Sequence, residues 1–203
     1  MKHDELWDGW MKALSESYAR TFDLLKAGKT SDAAKEFASK FSTTVDDLYS
    51  KAAQTYPVRF SKMTDWCTWA DQLVAKTKEA RAALDTGQSE EAMKKMELLR
   101  RHFYAMHVEA KTLKANDYIY AFRTIAGGAK PDAEKLGALV GYVQKAEPSF
   151  NAKAQAPDYA QAMKAWSACV EPILKEKKIG DGQIKPLRDA TETLYRAYGI
   201  QFE

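Results

Sequence analysis

Trp66-Cys-Thr-Trp69 stands eighteen residues before Gly87, and Trp7-Asp-Gly-Trp10 stands eighteen residues before Gly28. Further positions match at the same offset: Leu14 with Leu73, Leu25 with Leu84, and Ala33 with Ala92. A pattern that recurs at a fixed interval marks a repeated structural unit. Each copy has an amphipathic run, a glycine turn and a second run, so the sequence predicts two tandem helical hairpins.

Apolar residues spaced three and four apart predict the four helices of these hairpins. Gly28 and Gly87 are predicted to end the first helix of each copy. The second helix is predicted to be capped by Thr30 or Ser31 in the first copy and by Ser89 in the second. Tyr56-Pro57 is predicted to close the first hairpin. Short turns between long helices favour an up-down-up-down four-helix bundle, and no alternation typical of strands is present.

The residues after the bundle predict a helical extension packed on it. Gly127-Gly128 and several prolines punctuate this part, with helices expected at 132–146, at 158–178 with a kink at Pro172, and at 183–199. The predicted fold is therefore all-α, with a duplicated-hairpin bundle at 1–126 and a C-terminal helical extension at 127–203.

Composition limits the classes of partner. The net charge is +3, but Lys and Arg are mixed with Asp and Glu, which indicates solvated helix faces and no nucleic-acid groove. No apolar run approaches the roughly 20 residues of a membrane span. The start lacks an apolar signal core, so a mature periplasmic or secreted chain and a cytoplasmic protein both remain open. Cys67 and Cys169 are predicted to be buried thiols, with one disulfide as the alternative.

Chain direction in such a bundle gathers unusual side chains at one end. His107 lies twenty residues after Gly87, at a depth similar to that of Trp69 on the preceding helix. The residues expected at this end are Trp7, Trp10, Met11, Met63, Trp66, Cys67, Phe103, Met106 and His107. They either form a plain aromatic core or line a pocket. His107 is expected at the border of the apolar stripe with its tip toward water, and His102 is expected to face solvent.

One segment resembles a known family. The segment reads Ala80-Arg-Ala-Ala-Leu84-Asp-Thr-Gly87-Gln-Ser-Glu-Glu91-Ala92 and is followed by Tyr104-Ala-Met-His107. It is similar to the last two helices of the soluble periplasmic cytochrome b family (cytochrome b562 type). The resemblance covers residues 66–107, and the first helix more loosely. It implies a haem b ligated by His107, with Met11 as the nearest candidate for the second axial ligand. The end of the bundle described above would supply the lining of the haem slot, from Trp66, Trp69, Phe103 and Met106.

Two functions follow as expectations. The first is a non-catalytic bundle that binds haem or a metal through His107 and Met11, for electron transfer or sensing, with a small ligand or a redox partner protein. The second is a cofactor-free helical interaction or small-ligand-binding module. An enzyme is not expected, because the sequence contains no Glu-x-x-His pair, His-Glu-x-x-His, Cys-x-x-Cys, phosphate-binding glycine loop or nucleophile elbow. Cys67 beside the indoles would have a raised thiol pKa, which opposes reactivity.

Overall fold

A computed structural model describes residues 2–52, 60–146, 156–199 and 202. Within these ranges the regular structure is helical throughout, which confirms the all-α prediction. The helices are α1 (Lys2–Lys26), α2 (residues 30–52), α3 (Trp66–Asp85), α4 (Ser89–Ala110), α5 (Ala115–Gly127), α6 (Ala133–Gln144), α7 (Ala156–Glu176) and α8 (Asp181–Tyr198). The predicted hairpin closure at Tyr56-Pro57 lies outside the described residues. Among the described helices, none is long and apolar enough to cross a bilayer.

The chain divides into two compact units, and the boundary differs from the predicted one. The first unit comprises Met1–Leu113 with Gln201–Glu203, and the second comprises Lys114–Ile200. Helix α5, predicted to belong to the bundle, lies in the second unit because its buried face packs against α6 and α8. The second compact unit therefore begins before α5, at Lys114, and not at residue 127.

The second unit has an aromatic core, and two arginine side chains join α5 to α8. Trp166 of α7 is buried, with its ring 4.9 Å from that of Phe122 on α5. Arg123 pairs with Glu192 of α8, and Arg188 of α8 donates hydrogen bonds to the carbonyls that end α5. The helices lie close to the predicted spans, and α7 continues for one turn past Pro172.

In the first unit, α1 and α2 form one hairpin, and α3 and α4 form the other. Gly28 and Gly87 have φ values of 72° and 73°, in the left-handed region that glycine adopts without a steric penalty. The N–H groups of Lys29 and Gln88 donate to carbonyls of the preceding helix. This arrangement satisfies the last carbonyls of each helix and confirms both predicted turns.

Equivalent residues of the two copies contact each other at both ends of the hairpins. The rings of Trp7 and Trp66 are 5.6 Å apart, and at the turns the hydroxyls of Thr30 and Ser89 are 2.7 Å apart. Contacts between equivalent residues lie near a symmetry axis, so the copies are related by an approximate two-fold. The predicted capping by Thr30 and Ser89 is wrong: Lys29 and Gln88 hold the N-cap positions, and the two hydroxyls bond to each other.

One turn breaks the regularity of the repeat. Helix α2 consists of Thr30–Glu36, a π-helical turn at Phe37–Ser42, and Thr43–Ala52. Before this turn buried residues match at an offset of 59, as Ala33 matches Ala92. After it they match at 58, as Val45 matches Phe103. A π turn absorbs one additional residue, which keeps the following apolar positions on the inner face.

We predict that deletion of the exposed Ser39 is tolerated, because it converts the π turn to an α turn and leaves Val45 in place. The free energy of unfolding should fall by less than about 2 kcal/mol, measured by urea titration. Deletion of Glu97 in the regular helix α4 is the control, since it rotates the rest of that helix by about 100°. Equal losses for the two deletions would contradict the one-residue insertion.

Candidate functional site

The indole of Trp7 lies at the centre of an aromatic cluster in the first unit. It is fully buried, at 0% exposure, and its ring centroid is 4.9 Å from Phe60, 5.6 Å from Trp66 and 6.2 Å from Trp69. Trp10 approaches its edge at 6.5 Å and donates from its indole nitrogen to Asp47. The structure thus brings the duplicated tryptophans together, as the sequence predicts.

His107 belongs to this cluster through Phe60. The two rings are nearly parallel, with an angle of 6° and centroids 6.0 Å apart. At 3% exposure His107 is buried, so the expected orientation of its tip toward water is wrong. Phe60 precedes α3 outside the repeated stripes, which is why the helical periodicity did not identify it. Its ring joins His107 to Trp7 and Trp66.

The other residues predicted for the site are also buried in the first unit. Phe103 contacts Trp69 edge-on at 5.4 Å, while Met11 and Met106 lie in the core. Met11 and His107 are 0% and 3% exposed, so packed side chains surround both, and a haem between them would have to displace those side chains. The described residues also hold no group of three or more His, Cys, Asp or Glu side chains suited to a metal ion.

His102 is buried against Trp69, contrary to the prediction that it faces solvent. Their rings are 5.0 Å apart and nearly parallel, and His102 is 8% exposed. Its Nε2 lies 2.9 Å from the Trp69 carbonyl, and the Trp69 indole nitrogen lies 3.4 Å from the His102 carbonyl. Burial lowers the pKa of His102 below its usual value; the Trp69 carbonyl opposes this shift and Lys76 adds to it.

This lowered pKa predicts a loss of stability in mild acid. The unfolded histidine takes up a proton near pH 6.5 while the folded one remains neutral, so the free energy of unfolding should fall as the pH drops below about 6.5. Urea titrations at pH 7.5 and 5.5 measure the loss. His102→Gln replaces the ring N–H with an amide N–H and cannot take up a proton in this range, so this variant should lose less stability over the interval. Any contribution of His107 is the same in both proteins. The same pH dependence in both proteins would contradict the assignment.

The cysteines also differ from expectation. Both are free thiols, and Cys67 is exposed, not directed into the tryptophan cluster. Trp66 and Trp69 lie one turn apart on the buried face of α3, and Cys67 is rotated by about 100° from Trp66. The expected burial of Cys67 beside the indoles is therefore wrong.

A second feature was not predicted: Phe202 lies inside the first unit. It is fully buried, at 0% exposure, with its ring centroid 4.4 Å from Phe103, 5.2 Å from Tyr18 and 6.0 Å from Phe41. Its backbone N–H donates to the Ser15 hydroxyl at 2.9 Å. These contacts define the Phe202 slot, which is formed by side chains of α1, α2 and α4.

Arg100 is the charged group beside this slot. Its guanidinium carbon lies 6.0 Å from the centroid of the Phe202 ring, and the side chain has 0% exposure. A buried cation is rare because leaving water is costly. The position of Arg100 between the buried Leu99 and Phe103 places it on the inner face of α4. The sequence gives no signal for this burial, because Leu99, Phe103 and Met106 keep their three- and four-residue spacing beside Arg100.

Comparisons of the chain with protein-family models, with curated proteins and with solved structures give no match. The similarity to the periplasmic cytochromes therefore stays a prediction from the residues of 66–107.

Proposed function

We propose that the chain is a non-catalytic, cofactor-free helical binding protein. In this proposal the first unit is an up-down-up-down bundle of two duplicated hairpins, and the Phe202 slot is its binding site for an aromatic group. The observation that carries the proposal is that the slot already encloses a phenyl ring from a residue outside the four helices. The aromatic cluster around Trp7 supports the bundle at one end as packed core.

The contacts of Phe202 support a binding role for the slot. Three rings approach the phenyl group at different tilts, from 39° for Phe103 to 90° for Tyr18, so they surround it instead of stacking on one face. Residue 202 is 187 positions from Ser15, so its contacts join distant parts of the sequence. A slot that selects an aromatic ring from the same chain is suited to receive one from a ligand.

We predict that Phe202→Ala creates an enclosed apolar cavity. The free energy of unfolding of the first unit should fall by about 3–5 kcal/mol, the usual cost of truncating a buried phenylalanine. Apolar cavities of about 150 Å³ remain dry and bind benzene. Benzene should therefore raise the melting temperature of Phe202→Ala and leave that of the unmodified protein unchanged.

Phe22→Ala is the matched control. Phe22 stacks on Tyr18 at 6.0 Å and is 8% exposed, against 0% for Phe202, so we expect the space left by its removal to reach solvent. Benzene should not stabilise this variant. The proposal fails if benzene does not stabilise Phe202→Ala, or if it stabilises both variants equally.

The resemblance implies a second candidate function, haem binding through His107 and Met11. It is favoured by the burial of both side chains in one unit, and opposed by the close packing around them, because a haem between them would have to displace core side chains. Titration with haemin separates the two candidates. We expect no sharp Soret band; a band that disappears in His107→Ala would replace our proposal with the haem function.

A further inference from the structure

We propose that folding of the second unit stabilises the first, because the folded second unit keeps Phe202 at a high effective concentration for its slot. The first unit is built from two separate parts of the sequence, Met1–Leu113 and Gln201–Glu203, and residues 114–200 form the second unit between them. This coupling of the two folds goes beyond the proposed function, since it does not require the slot to bind a ligand.

Helices α5 and α8 of the second unit run antiparallel. Three contacts join them, and the partners move in opposite directions along the chain: Ala126 with Arg188, Arg123 with Glu192, and Tyr120 with Tyr195. The residue number on α5 falls while that on α8 rises, which is the register of antiparallel neighbours. Continued to the helix ends, this register places the start of α5 at Ala115 beside the end of α8 at Tyr198.

The folded second unit therefore spans a short distance between its first and last helical residues. Packed helices lie about 8–10 Å apart, and the two neighbouring helix ends are separated by about this distance. An unfolded chain as long as residues 114–200 has a radius of gyration of about 30 Å. Because the entropic cost of closing a loop rises with its length, Phe202 reaches its slot at a lower cost when the second unit is folded.

Phe202 is the residue through which this cost acts on the first unit. Among the described residues of that unit, it is the one that follows the second unit in the sequence. Its ring is fully buried and lies 4.4 Å from that of Phe103, and its N–H donates to the Ser15 hydroxyl. A lower effective concentration of Phe202 reduces the occupancy of these contacts without changing the residues that make them.

The expected size of the effect follows from the lengths of the two connections. A distance of about 10 Å corresponds to about three extended residues. Effective concentration falls roughly as the −3/2 power of loop length, so replacing such a bridge with an unfolded segment 114–200 lowers it about one hundredfold. The folding equilibrium constant of the first unit should fall by up to the same factor.

The test uses the full chain and the distribution of its five tryptophans. Four of them lie in the first unit, and Trp166 lies in the second. Trp166→Ala removes a fully buried side chain, which destabilises the second unit, and it leaves every remaining indole in the first. Trp166→Phe is the matched reference, because it leaves the same four indoles but retains a ring beside Phe122. Fluorescence then reports the first unit in both variants, and far-ultraviolet circular dichroism reports the helices of both units.

In urea titrations of Trp166→Ala, circular dichroism should show the second unit unfolding first. The fluorescence midpoint of the first unit should then lie at lower urea than in Trp166→Phe, by a shift that corresponds to a factor of up to about one hundred in the equilibrium constant. In the Phe202→Ala background the same two variants should share one fluorescence midpoint, because the contact that transmits the coupling is absent.

Two results would overturn the inference. Equal fluorescence midpoints for Trp166→Ala and Trp166→Phe with Phe202 present would show that the units fold independently. An equal shift in both backgrounds would show that the coupling does not pass through Phe202. If Trp166→Ala leaves the second unit folded during the first transition, Trp166→Pro, which also interrupts α7, provides the same comparison. Phe202→Leu takes the place of Phe202→Ala if the latter does not fold.

Discussion

Each hairpin of the first unit has one apolar face, and neither can bury that face without the other. This constraint explains why the chain repeats its pattern and why equivalent residues meet, as Trp7 meets Trp66 and Thr30 meets Ser89. The turns at Gly28 and Gly87 set the geometry of each hairpin, and the tryptophans fill the space where the two hairpins meet. Burial of large aromatic area is the main source of stability at that end.

The two copies are not identical, and the differences concentrate around the Phe202 slot. The π turn of α2 adds one residue to the first copy, and Arg100 adds a buried charge to the second. Phe202 then occupies the space between Tyr18, Phe41 and Phe103. The duplicated hairpins thus form the frame of the first unit, and the departures from the duplication place Phe41 and Arg100 beside Phe202.

Much of this architecture could be predicted from the sequence, because helical periodicity and glycine turns depend on local chemistry. The hairpins, their turns and the gathering of Trp66, Trp69 and His107 follow from spacing alone. The boundary of the second unit could not be predicted, because the apolar spacing of α5 does not show which helices its buried face packs against. His102 and Cys67 were misplaced because a border position on a helix is decided by its partners. The burial of Phe202 in the first unit could not be predicted, because a single apolar residue after the last helix forms no periodic pattern.

The central claim is that the first unit encloses Phe202 as part of its interior. A double-mutant cycle between Phe202→Leu and Phe103→Leu tests it most directly, because the two rings are 4.4 Å apart. The account predicts a coupling of about 1 kcal/mol in the free energy of unfolding, typical of a buried aromatic pair. Additive losses, with no coupling between the two positions, would contradict it.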